Sequence, residues 1–242
     1  MNILNKLSIR NLKLIKKRTI STCIGIILSV ALICAVGTIS SSFQETLVQS
    51  TINNTGYWHL QLMNVKDDQF EVLKNNRDIQ KINEMIEVGY GKLKGIKNED
   101  KPYLKLYSMN QEVFTNLKLR LIEGRFPQNN KEVIIAKHLY TNGSVNKKIG
   151  DKIKIKVGER KTIDGFELYT ANPYREEEEK LVNTKEYEFT IVGIMERPHY
   201  MFEDYGDRGY SIITTDLKEG KRNIFLALKD VNDYKNSFVE IL

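Results

Sequence analysis

Three histidines, His59, His138 and His199, have side chains suited to acid–base work or metal ligation near neutral pH, yet they stand too far apart to share a ligand spacing. Each reads as a surface or packing residue. Glu203, Asp204 and Asp207 flank Gly206, a grouping able to hold a cation in a loop, but the spacing departs from a calcium loop and favours a solvated acidic turn. Glu176, Glu177, Glu178 and Glu179 read in the same way as a solvated tip, because adjacent like charges repel. No P-loop, dinucleotide-binding glycine motif, nucleophile elbow or HExxH helix occurs, which excludes an intrinsic P-loop ATPase. The residues therefore point to no catalytic centre, no cofactor and no metal.

The elements carrying these side chains begin with a basic block. Lys6, Arg10, Lys13, Lys16, Lys17 and Arg18 precede the first acid, Glu45, and account for the whole formal charge of +6. The rest of the 242-residue chain is balanced, so nucleic acid is not the expected partner. Residues 19–43 contain no charged side chain and are mostly Ile, Leu, Val, Ala and Cys. About 20 helical residues cross the roughly 30 Å hydrocarbon core, whereas a buried soluble helix is shorter and keeps a polar face. A transmembrane helix over 19–43 follows, with residues 1–18 cytoplasmic and residues 44–242 extracytoplasmic by the positive-inside rule.

A cleaved signal peptide is the rival reading, since a basic start, an apolar run and Gly37, Ser40, Ser41 and Ser42 all occur. The run is longer than a signal peptide needs, and it lacks an A-x-A end. Cys23 and Cys34 both lie inside it, so the exported part has no thiol for a disulfide or a cysteine-bound zinc. Ser21, Gly25 and Ser29 recur every fourth residue, a small-xxx-small stripe that would admit a second helix, or ordinary small-residue usage in a span. Ile3, Leu4, Leu7, Leu14 and Ile15 share an arc beside Lys6, Arg10, Lys13 and Lys17, which predicts an interfacial helix over residues 1–18 on the lipid headgroups, or a merely orienting flank.

Beyond residue 54 the pattern turns strand-like and predicts an α+β fold, a mixed α/β extracytoplasmic domain. Residues 57–63 read as a strand with Trp58, Leu60 and Leu62 on one face, and Asp67 and Asp68 start a helix over 69–75. Residues 79–91 fit either a helix or an edge strand. Residues 103–107 form a strand with Tyr103, Lys105 and Tyr107 on one side, followed by a short helix over 111–117. Residues 152–157 alternate lysine with Ile153, Ile155 and Val157, and 186–195 set Tyr187, Phe189 and Ile191 against Glu188 and Thr190, so the two pair as a hairpin. The polar stretch 158–185 between them reads as a mobile insertion. Late strands cover 211–214 and 224–228. Tyr234, Phe238, Ile241 and Leu242 keep helical spacing to the final residue, as though the chain were cut inside an element.

Five segments stand in order: Ile9-Arg10-Asn11-Leu12-Lys13 with Lys17-Arg18-Thr19, then Leu121-Ile122-Glu123-Gly124-Arg125-Phe126-Pro127, Lys131-Glu132-Val133-Ile134-Ile135, Lys148-Ile149-Gly150-Asp151-Lys152-Ile153, and Phe189-Thr190-Ile191-Val192-Gly193-Ile194. Physically these are turn and strand residues: Glu123 and Gly124 allow a tight turn, Pro127 fixes an extended exit, and Gly150 and Asp151 turn the chain into the alternating strand. Arg125 and Glu132 read as surface charges beside turns, the alternative being ligand contact. Together the segments resemble the extracytoplasmic core domain and first transmembrane helix of MacB- and FtsX-like ABC-transporter permeases. The resemblance implies a non-catalytic subunit of the bacterial cell membrane, working with a second permease copy or half and a separate cytoplasmic ABC ATPase, and coupling nucleotide-driven closure to outer-domain movement for export or signalling. It also implies three later spans, before which this sequence stops, so that it would be the N-terminal part of such a permease. The alternative is a single-span anchored binding domain.

Overall fold

The computed structural model describes residues 10, 14–198 and 202–231. The chain divides into two compact units, residues 1–51 and 52–242. The first unit is occupied by helix α1, Lys16–Thr55, whose last turn belongs to the second. α1 has 40 residues, about 60 Å at 1.5 Å per residue. It thus continues well past residue 43, where the span itself was expected to stop. Ile20, Ile24, Leu28, Val36 and Ile39 are all exposed, as suits a surface meant for lipid. Its hydroxyls turn inward on the backbone: Ser29 Oγ donates to Gly25 O at 2.9 Å, Thr38 Oγ1 to Cys34 O at 2.9 Å and Thr46 Oγ1 to Ser42 O at 2.8 Å. Such back-bonding satisfies each hydroxyl without water, which makes the polar residues compatible with hydrocarbon. Most of the expected interfacial helix, the C-terminal amphipathic segment and His199 lie outside the described residues.

In the second unit the strands are β1 Leu60–Leu62, β2 Ile79–Lys92, β3 Tyr103–Met109, β4 Leu121–Gly124, β5 Glu132–Ala136, β6 Lys152–Thr162, β7 Glu179–Met195, β8 Gly209–Thr214 and β9 Lys221–Leu228. Three short helices join them: α2 Asp67–Asn75, α3 Gln111–Asn116 and α4 His138–Thr141. The sheet runs β1-β9-β2-β3-β8-β5-β7-β4, and β6 pairs with both β7 and β2. Hydrogen bonding therefore closes a ring of six strands, β2-β3-β8-β5-β7-β6, with β9 and β1 extending it beyond β2 and β4 lying beside β7. Pairings are antiparallel except β3 with β8 and β5 with β7. The α+β architecture is thus a nine-stranded mixed sheet with a single long helix before it.

Alternation sorts the core into two sides. Leu104, Leu106, Val133, Ile135, Ile153, Ile155, Val157, Phe189, Ile191, Tyr210 and Ile212 make one cluster, drawn from five strands of the ring. Tyr107, Met109, Ile134, Ala136, Met195 and Ile213 point the other way and are covered by Val113, Phe114 and Leu117 of α3 and its exit, and by Phe202. Both sides of β3, β5 and β8 are buried, which explains the nearly continuous apolar runs there.

The structure changes several expectations. Residues 79–92 form a strand paired to β9, β3 and β6, so neither helix nor edge strand applies. The strand expected over 57–63 shrinks to three residues, and Trp58 packs in a different cluster from Leu60 and Leu62. The predicted hairpin forms with Ile153 opposite Phe189 and Ile155 opposite Tyr187, but it runs on to Thr162 and Glu179, so strand pairing takes up both flanks of the 158–185 stretch.

Candidate functional site

The last four of the five segments fold into one corner. Gly124 faces Gly193 across the β4–β7 pair. Gly124 has φ +82°, and a Cβ there would lie 2.3 Å from Val192 O; one on Gly193 would lie 2.6 Å from Arg125 O. Only paired glycines let these backbones meet. Arg125 then grips Glu132 with both terminal nitrogens at 2.7 Å, and Glu132 also accepts the Gln128 N–H at 2.9 Å. Hydrogen bonding from Arg125 and from Gln128 outweighs burial and brings the Glu132 carboxyl down to about 2. The Pro127 carbonyl accepts from Gln111 Nε2 at 3.3 Å. Gly150 supplies φ +94° and donates to Ile191 O at 2.8 Å, while Asp151 Oδ2 receives the Lys148 N–H at 3.0 Å. Arg125 and Glu132 thus bond to each other and to the neighbouring backbone of Phe126 and Gln128.

A second constellation fixes the end of α1. Gly56 terminates the helix with φ +91° and bonds back to Ile52 O at 2.9 Å. A Cβ at Gly56 would stand 1.9 Å from Asn116 O, so the helix end lies directly against the end of α3. Arg120 reaches Asn54 Oδ1 at 3.1 Å, and Trp58 Nε1 donates to Thr55 O at 3.1 Å while its ring meets Phe225 edge-on.

The third constellation overturns the expected acidic turn. Glu203 and Asp207 are buried, and only Asp204 of the three acids is exposed. Glu203 Oε1 accepts from Lys101 Nζ at 2.7 Å and bonds His138 Nε2, and Oε2 accepts the Ser211 N–H at 2.8 Å. Burial alone would raise its carboxyl, but His138 and Lys101 hold it down at about 2. Lys105 reaches Asp207 at 3.2 Å, Glu87 at 3.5 Å and Thr170 Oγ1 at 3.1 Å, between the rings of Tyr90 and Tyr107. Burial lifts Asp207 above the usual carboxylate range despite Lys105. Further along, Arg160 binds Glu179 twice, at 3.0 and 2.7 Å, and Tyr103 donates to the same carboxylate at 2.8 Å. Glu179 is thus a buried partner, not part of a solvated tip. Burial works against the charge on Lys105, yet the tyrosines, Glu87 and Asp207 raise it well above a lysine's ordinary range, so it is no neutral amine nucleophile. Among the described residues no group of three or more His, Cys, Asp and Glu side chains could hold a metal ion. These buried pairs tie β3 to residues 202–207 and to the β6–β7 turn.

The profile of the MacB-like periplasmic core domain matches residues 19–237. The chain belongs to this family. Among solved structures it is similar to the periplasmic region of MacB from Actinobacillus actinomycetemcomitans, at 12% identity and TM-score 0.40, over 74% of this chain and 72% of that one. It is also similar to a domain of a putative permease protein from Porphyromonas gingivalis, at 9% and 0.40, over 75% and 70%. A third is the extracellular domain of the noncanonic ABC-type transporter YknZ from Gram-positive bacteria, at 8% and 0.40, over 75% and 86%. Curated proteins give no match.

In this MacB-like domain, Glu123, Gly124, Arg125, Pro127, Glu132, Gly150, Asp151 and Gly193 sit at the corner and its neighbouring turns, whereas Ser21, Gly25 and Ser29 belong to α1 and are exposed. The buried lattice was missed. One signal for it was available: Lys105 sits between Tyr103 and Tyr107 on a strand whose other face is Leu104 and Leu106, so it has to be either paired or at an edge. α1 is long and apolar enough to cross a membrane, and with a domain of the MacB-like periplasmic core type this points to a membrane-anchored protein with an extracytoplasmic domain.

Proposed function

We propose that the chain works as a non-catalytic permease component of the MacB/FtsX type, relaying the closure of a cytoplasmic ABC ATPase to its extracytoplasmic domain for export or signalling. In this reading residues 19–43 cross the bacterial cell membrane with the N-terminus inside, six cations holding it there. The observation that supports it best is α1 itself, helical without a break from Lys16 to Thr55 and latched at its end by Gly56, Arg120 and Trp58. No proline interrupts it. Membrane lipid, a second permease copy or half and the ATPase are its partners.

Inserting two glycines after Glu45 in the complete transporter tests the relay, because each glycine weakens a helix by about 1 kcal/mol relative to alanine. Loss of export or signalling at unchanged expression and ATPase assembly is expected, with two inserted alanines as the stiff control of equal length. Normal activity of the glycine variant means a flexible tether. For the copy-to-copy contact, Gly25→Leu and Ser29→Leu are expected to weaken association in a membrane two-hybrid measurement, since leucine blocks close helix approach. An unchanged signal assigns the stripe to lipid.

A further inference from the structure

Where the β6–β7 hairpin meets the end of β2, a trough of about 920 Å³ is lined by Lys92, Lys94, Lys147, Lys152, Lys154, Lys156 and Lys180. Only two carboxylates join that lining, and both are already engaged: Glu179 by Arg160 and Tyr103, and Glu186 by Lys154 at 2.8 Å. Lys152 has Glu188 at 3.2 Å. Lys92 lies over the Tyr103 and Tyr174 rings, and among the described residues Lys94, Lys147, Lys156 and Lys180 face no carboxylate within salt-bridge distance. Pairing across β6 and β7 sets Lys154 opposite Glu188 and Lys156 opposite Glu186, whereas Lys94, Lys147 and Lys180 add like charge to the same concavity without such a partner, which works against the fold.

We propose that this trough binds a linear phosphodiester polyanion, a chain carrying one negative charge per repeat. This goes beyond the permease reading and does not depend on it. Lys152, Lys154 and Lys156 stand at every second position of β6, about 7 Å apart at roughly 3.4 Å per residue. That spacing spreads the positive charge along a line, which matches a polymer better than a compact anion. Lysine suits the role, being a point charge that needs no planar partner. The exposed pairs with Glu186 and Glu188 contribute little and exchange readily when a ligand arrives. Half-buried Leu181 adds a nonpolar wall for the uncharged part of each repeat.

The test is binding of a synthetic glycerol-phosphate oligomer to the full chain in nonionic micelles over a salt series. Binding should weaken steeply with salt, the slope counting released counterions. Changing Lys94, Lys156 and Lys180 to glutamine should weaken it at least about tenfold and reduce the log–log slope by roughly 2. The same change at Lys131, Lys137 and Lys218, exposed elsewhere, should leave it intact. Three results overturn the proposal: no binding at low salt, equal loss in both triple variants, or inorganic tripolyphosphate binding as tightly as the oligomer. The first denies the site, the second reduces it to net charge, and the third makes it a small-anion site.

Discussion

Glu203→Ala is expected to destabilise the extracytoplasmic domain by about 3–5 kcal/mol, the cost typical of breaking a buried ion pair from one side. The side chain is fully buried, and its removal strands Lys101, itself 10% exposed, together with the Ser211 N–H. Denaturant unfolding of the full chain in micelles measures it, and Glu203→Gln, which retains an acceptor without the charge, should fall between. A cost under about 1 kcal/mol would mean that Lys101 finds water instead. The same pair sets a pH dependence. Because the folded carboxyl is depressed to about 2, its contribution is complete above the unfolded value near 4.5 and is lost as pH falls from there through 2. Asp207, raised by burial, runs the other way: ionising it costs stability as pH rises past its unfolded value. Removing Glu203 should therefore flatten the acid limb between about pH 4.5 and 2, and an unaltered limb would assign that limb to other carboxylates.

Gly56→Ala is expected to cost roughly 2–6 kcal/mol, adding the strain of a left-handed non-glycine residue to an overpacked contact. The new Cβ would stand 1.9 Å from a backbone oxygen, so Asn116 and the helix end have to separate. The single tryptophan, Trp58, stands two residues away with its indole bonded to Thr55 and packed on Phe225, so it reports this junction directly. Its emission should shift to the red at temperatures where the sheet is still folded by circular dichroism. An unshifted spectrum, with unfolding at the wild-type midpoint, would show that the latch accommodates a methyl group.

Local pattern carried much of the architecture and little of the lattice. Lys152 to Val157 alternate because one side of β6 fills the ring while the other meets solvent, and the period of two is visible in six residues. The glycines of the corner were legible as turn-formers, although the need for Gly193 came from the backbone opposite, which sequence order does not reveal. β2 resisted reading because neighbours lie on both sides of it, and its mixed burial erases any clean alternation. Glu203 and Asp207 looked solvated for a similar reason. Their charge partners, Lys101 and Lys105, are about a hundred positions away and meet them only once β3 and β8 lie side by side.

The sheet's longest-range pairing also bears on how the protein is made. β2 takes β9 as a neighbour, Ile82 opposite Leu226, and β1 has β9 as its strand partner, Leu60 opposite Leu226. Both strands leave the ribosome well before β9 and must wait for it. At about 5–20 residues per second that interval is on the order of ten seconds, during which β2 presents residues 79–87 as an unpaired edge. A nascent chain spends that time open to mispairing, so its yield should depend on what shields this edge and not only on the stability of the finished domain.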